Sequence, residues 1–147
     1  MRRIFYCLVG ILLFASIACA DSGIISIKSF HDVKTTADRL ENTLRAKGMT
    51  VFIRINHTEG AQKVGKNLRP TEVIVFGNPM VGTPLMMCRQ SVAIDLPQKA
   101  LIWEDDTGQV WFSYNDPKYL AKRHEIKECV EVIQKIENAL SNLVGID

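Results

Sequence analysis

The chain has 147 residues, with 18 Lys and Arg against 16 Asp and Glu and a formal net charge of +2. Both signs are interspersed with no block of either, which excludes the clustered basic surface that nucleic-acid binding requires. The length suits one domain that buries a core without staples.

Arg2 and Arg3 form a basic start, Ile4 to Ala20 carries no charge, and Ala18-Cys19-Ala20 is an A-x-A cleavage pattern before Asp21. The uncharged run falls short of the about 20 residues that a spanning helix needs. Residues 1–20 are therefore predicted to be a secretory signal cleaved near Ala20, which leaves 21–147 as a single domain in the periplasm or secreted. The alternatives are membrane attachment by lipidation at Cys19 and an uncleaved anchor. Against lipidation, Ser16 stands where a lipoprotein signal usually has Leu. With Arg2 and Arg3 gone, basic and acidic residues balance.

Ile25 and Ile27 alternate with Ser26 and Lys28 and predict a strand over 24–29. Asp32 caps a helix whose apolar positions are Val33, Ala37, Leu40 and Leu44, and Gly48 ends it. Met49, Val51, Ile53 and Ile55 then alternate with Thr50, Phe52 and Arg54, the pattern of a half-buried strand. Thr58 to Lys66 reads as a short helical turn with Ala61 and Val64 on its apolar side, stopped by Arg69-Pro70. Val73 to Phe76 is a third, continuously apolar strand, and Gly77-Asn78-Pro79 turns the chain out of it. Thr83 followed by Pro84 predicts a helix start, since threonine accepts from orphan amides and proline at the first position forfeits no bond.

After Leu96-Pro97, Ala100 to Glu104 and Gln109 to Tyr114 form a hairpin around Asp105-Asp106-Thr107-Gly108. A four-residue turn pairs Trp103 with Val110 and Leu101 with Phe112 on one face. Ile102 and Trp111 then point to the other, joined by Phe52. Asp116-Pro117 starts a last helix, bent near His124 and running to Leu143, with an apolar stripe of Ile126, Val130, Ile133, Ile136, Leu140 and Leu143. The fold class is α+β: a two-layer, mainly antiparallel sheet of about five strands with two long helices on one face. The opposite face is then partly apolar, the mark of a partner surface or ligand groove.

FGNPMVGTPLM at 76–86, IDLPQKALIWEDDTGQVWFSYNDP at 94–117 and YLAKRH at 119–124 resemble the bacterial family called domain of unknown function 302. His57 also sits where that family usually has histidine. The resemblance covers nearly all of residues 23–144 and implies a compact domain of β-α-β(4)-α order and dimerisation. It supplies no reaction, ligand or cofactor. Met87-Cys88-Arg89 departs from the alanines usual after the glycine-threonine-proline segment.

Three classes of chemistry remain open. Copper(I) favours sulfur ligands, which makes Met86 and Cys88 a candidate pair. Met86 and Met87, adjacent on a helix, point about 100° apart. Cys88 and Cys129 are either a disulfide or two separate buried thiols. An enzyme of unknown reaction would use His57 or Asp95, the latter lying between Ile94 and Leu96 and needing a partner if buried. A Cys-His pair of Cys88 or Cys129 with His57 or His124 is a further arrangement. No G-x-S-x-G elbow, Walker loop or G-x-G-x-x-G is present. The third class, adopted as the expectation, is a non-catalytic module that binds a small molecule or a protein and forms a homodimer. Its candidate residues are His57, Asn78, Thr83, Met86, Asp95, Trp103, Tyr114 and Asn115. Asn78, Thr83, Asp95, Tyr114 and Asn115 follow strands or enter helices, where loop groups gather round a pocket, with Met86 and Trp103 as apolar wall.

Overall fold

The structure is a computed structural model that describes residues 22–143. The predicted export signal at 1–20, including Cys19, lies outside the described residues. The elements are β1 (Ile24–Ser29), α1 (Val33–Ala46), β2 (Thr50–Asn56), α2 (His57–Lys63), β3 (Thr71–Gly77), α3 (Pro79–Cys88), a 3-10 turn at Gln90–Ile94, β4 (Gln98–Glu104), β5 (Val110–Asn115), α4 (Pro117–Arg123) and α5 (Val130–Ser141). The sheet has the order β1-β5-β4-β3-β2, and every neighbouring pair is antiparallel. The α+β class and the antiparallel sheet are those the sequence predicts.

One face of the sheet carries the core. Ile74, Phe76, Ala100, Ile102, Val110, Phe112 and Tyr114 pack with Val33, Ala37, Leu40 and Leu44 of α1 and with Ile133, Ile136 and Leu140 of α5. Burial of each large aliphatic side chain contributes about 1.5–3 kcal/mol against leaving it in water. Helix α1 begins as predicted, with Asp32 accepting from the Thr35 amide at 2.7 Å. It closes at Gly48, whose φ of 73° suits a residue without Cβ.

Five local expectations need correction. Helix α3 starts at Pro79 and not at Pro84: Asn78 takes the cap, accepting from the Met80 amide at 2.9 Å, and Thr83 and Pro84 lie inside the helix. The cap-then-proline device is the predicted one, used five residues earlier. A register shift between Val51 and Ile53 inverts the parity of β2. Val51 therefore packs inward, Ile53 and Ile55 face out, and Arg54 turns toward the helices, where it pairs with Asp38 and Glu72 at 2.5 Å each.

The third correction is the hairpin register. Trp103 pairs with Trp111 and Ile102 with Phe112, one residue off the expected pairing. Asp105 Oδ1 accepts from the Thr107 and Gln109 amides, and Gly108 adopts φ 82°, so five residues stand between paired Glu104 and Val110. A one-residue slip exchanges the two faces. Ile102 and Phe112 are core, and Leu101, Trp103 and Trp111 face out. Fourth, the bend near His124 is a full break. Glu125 at φ 53° closes α4, with the Glu125 amide bonded to Lys122 O and the Ile126 amide to Ala121 O. Fifth, α2 buries no residue, and Val64 just after it is 71% exposed. Of the expected apolar side of that turn, Ala61 is half-buried and Val64 is left to solvent.

Candidate functional site

The chain builds one end of the sheet from short, sharply turned segments. β3 leaves the sheet at Gly77, Asn78 caps α3, and α3 runs into the 3-10 turn. Leu96 and a cis-bonded Pro97 then lead into β4 at Gln98. Because Gln98 pairs with Phe76, the exit of β3 and the entry of β4 stand side by side. Between them and α3 lies a cavity of about 220 Å³. Phe52 at the β2 register shift, Val81, Met86, Leu96, Pro97 and Ile136 of α5 form its apolar wall.

Among the described residues, no charged side chain lines this cavity. Asn78 is committed to its cap, while Gln98 is 93% buried, being 7% exposed, and its Oε1 has no hydrogen-bond partner among the described residues. A buried amide oxygen without a donor costs about 1–3 kcal/mol relative to a satisfied one. That oxygen is enclosed and does not face the cavity. A mainly apolar wall with a few polar residues, here Asn78, Thr83 and Gln98, is the usual composition of a small-molecule site.

The structure brings three of the predicted site residues, Asn78, Thr83 and Met86, to this cavity. The other five lie elsewhere. His57 opens α2 at the far end of the sheet, after Asn56, which pairs with Glu72. Trp103 faces out and donates from Nε1 to Ser113 Oγ at 3.0 Å. Tyr114 is core, its ring 5.4 Å from that of Phe112, and burial pushes its phenol pKa up. Asn115 pairs with Ile24 at the sheet edge. Among the lining residues that sequence reasoning did not select are Phe52, Val81, Leu96, Pro97, Gln98 and Ile136. A polar Gln on the inward parity of β4, just after Pro97, was the one signal available.

The whole described domain matches a known family, described as Domain of unknown function DUF302, over residues 25–143. The chain belongs to this family. The DUF302 domain is also 45% identical over 106 residues to the protein called fluoride-specific ion channel FluC 1 of Brucella suis biovar 1 (strain 1330), a stretch that is 72% of this chain and 42% of that one. It matches FluC 1 of Brucella abortus biovar 1 (strain 9-941) at 45% identity over 106 residues, 72% of this chain and 39% of that one. The chain thus spans about two fifths of these relatives. No described helix of this DUF302 domain is long and apolar enough to cross a membrane. The crystal structure of an uncharacterised conserved DUF302 protein from Bacillus stearothermophilus superposes with a TM-score of 0.77 at 20% identity, covering 86% of this chain and 98% of that one, and so shares the fold.

Asp95, whose own side chain is largely buried, does find partners, the buried His124 and the half-exposed Arg123. Oδ2 meets His124 Nε2 at 2.6 Å and Oδ1 accepts from Arg123 at 3.1 Å, while His124 Nδ1 meets Ser91 Oγ at 3.0 Å. This chain of bonds ties the 3-10 turn to the end of α4 and does not line the cavity. His57 and Asp95, the two residues named for an enzyme, stand by opposite ends of the DUF302 sheet, His57 after Asn56 (paired with Glu72) and Asp95 shortly before Gln98 (paired with Phe76). The sulfur site through Met86 and Cys88 is overturned. Cys88 is bonded to Cys129, with Cα atoms 6.5 Å apart, so it has no thiolate to offer a metal. Among the described residues, no group of three or more His, Cys, Asp or Glu is placed to hold an ion.

Proposed function

We propose that this DUF302 domain is an exported, non-catalytic binding module that takes a small molecule into the cavity beneath α3. The observation that carries this reading is the apolar, uncharged cavity between α3 and the adjoining ends of β3 and β4. The Cys88–Cys129 bond supports export, since disulfides persist in oxidising compartments. The relatives support a modular role: the matching segment is a minor part of chains named for another activity.

Native mass spectrometry of the purified protein, with thermal-shift assays against neutral apolar molecules, tests the proposal. Retained small-molecule mass, or a raised Tm that Gly82→Leu abolishes, is the expected result. A Cβ at Gly82 meets nothing closer than Leu96 Cδ1 at 3.9 Å, so the longer side chain has room to enter the cavity without breaking the helix. A bare spectrum with no ligand raising Tm rejects the proposal.

The outer sheet face favours a second role in self-association. Ile53 and Ile55 are 52% and 38% exposed, and Leu101, Trp103 and Trp111 continue the apolar surface beside them. We propose that a second copy of the chain covers this face, consistent with the balance of charges in residues 21–147.

A further inference from the structure

Ser91, His124 and Asp95 are bonded in series away from the cavity, and the binding reading makes no use of them. Ser91 lies in the 3-10 turn Gln90–Ile94 and Asp95 closes that turn, so hydroxyl and carboxylate come from one short segment. His124 ends α4, its amide bonded to Leu120 O at 3.0 Å. Its side chain is 7% exposed and reaches both groups. Nε2 is 2.6 Å from Asp95 Oδ2 and Nδ1 is 3.0 Å from Ser91 Oγ.

These bonds fix where the protons lie. A carboxylate only accepts, and Arg123 already donates to its other oxygen at 3.1 Å. Nε2 of the neutral ring therefore carries the hydrogen, Nδ1 keeps its lone pair, and Ser91 donates to it. A serine hydroxyl bonded to a ring nitrogen, with a carboxylate holding the other nitrogen, is the arrangement that activates an oxygen nucleophile. The two nitrogens exchange their commonest roles, which leaves the proton path intact. Ser91 is exposed, so a reactant reaches it from solvent.

We infer that Ser91 is a nucleophile that takes an acyl group from an activated ester, with His124 as general base and Asp95 positioning its ring. Ser91 Oγ bonds to the acyl carbon as its proton passes to His124 Nδ1. The bond from that carbon to the leaving oxygen breaks, the leaving oxygen keeps the bonding pair, and the imidazolium gives its proton to solvent.

Incubation of the purified protein with p-nitrophenyl acetate, read by peptide mass mapping, tests this. Acetylation of Ser91 is expected to run at least about a hundredfold faster than that of Ser141, an exposed serine bonded to a backbone carbonyl. It is expected to fall by a similar factor in His124→Gln. Asp95→Asn presents an N–H to Nε2, which moves the ring hydrogen to Nδ1, and is expected to slow the reaction too. Nitrogen NMR of the His124 ring reads the tautomer, and urea melts check folding. Equal acetylation of Ser91 and Ser141 overturns the inference, as does a wild-type ring with a hydrogen on Nδ1 at neutral pH. An undiminished rate in folded His124→Gln also overturns it; if that variant does not fold, the wild-type rate and tautomer decide. Release of more than one equivalent of nitrophenol per chain from Ser91 supports the inference and adds turnover, which the binding reading does not include. Failure here leaves the cavity reading standing, because none of the three residues lines the cavity.

Discussion

Trp111 Nε1 donates to Asp105 Oδ2 at 2.7 Å, across the mouth of the hairpin that joins β4 and β5. The same carboxylate accepts from the amides of Thr107 and Gln109 and from the Thr107 hydroxyl. One side chain thus sets the loop at five residues, and that length puts Trp111 opposite Trp103 on the outer face and Phe112 opposite Ile102 in the core.

The Asp105 bond has a pH signature. Hydrogen bonds from Thr107, then Trp111, hold this carboxyl well below the usual carboxylate range. A native pKa below the unfolded one gives stability that is fully present above the unfolded value of about 3.9 and is lost as pH falls through the native one. Urea midpoints followed by tryptophan fluorescence should fall with acid below about pH 4. In Asp105→Asn that acid dependence should be shallower. An unchanged slope would remove Asp105 as its source.

The helix start at Asn78 makes a paired prediction. Asn78→Ala should lower stability by about 1 kcal/mol through loss of the cap. Thr83→Ala, at an exposed interior position, should stay within about 0.5 kcal/mol of wild type. The reverse order in chemical denaturation would restore the start at Pro84.

Glu125 occupies the left-handed position that closes α4. Residues with a Cβ lose roughly 1–2 kcal/mol there, while glycine loses more chain entropy on folding. Glu125→Gly should therefore be neutral or stabilising by up to about 1 kcal/mol, against the usual destabilisation by a glycine substitution. A loss above about 1 kcal/mol would contradict the closing role assigned to this residue.

Cys88 and Cys129 are 41 residues apart in sequence. Closing a loop of that size restricts the unfolded chain, with a stabilisation of about 4 kcal/mol in the chain-entropy model. Cys88→Ser with Cys129→Ser should show a loss of about 2–4 kcal/mol in urea unfolding. Mass spectrometry without reductant should show both thiols blocked to alkylation in wild type.

The outer face predicts association. Ile53→Lys should convert a dimer to monomers in sedimentation velocity while leaving the melting curve of the dilute protein close to wild type, because Ile53 is 52% exposed. A wild-type protein that is monomeric at high concentration would end this proposal.

Sequence alone determined the order of elements up to the last helix, which the structure splits at Glu125, together with the antiparallel α+β class and the family. These rest on local signals: apolar period, cap residues such as Asp32 and Asp116, and the turn glycines. The parity of strands was not local. A shift at Phe52 and one extra residue in the Asp105 loop each exchange the two faces of a strand, since side chains alternate with period two. The first accompanies a bond between groups far apart in sequence, Arg54 with Glu72, and the second a set of bonds around the turn, from Thr107, Gln109 and Trp111 to Asp105, that residue types alone do not specify. The cavity is tertiary for the same reason. Asn78, Thr83 and Met86 share a segment and could be selected together, whereas Phe52, Gln98 and Ile136 reach them only when the sheet pairs Gln98 with Phe76 and α5 packs across the end.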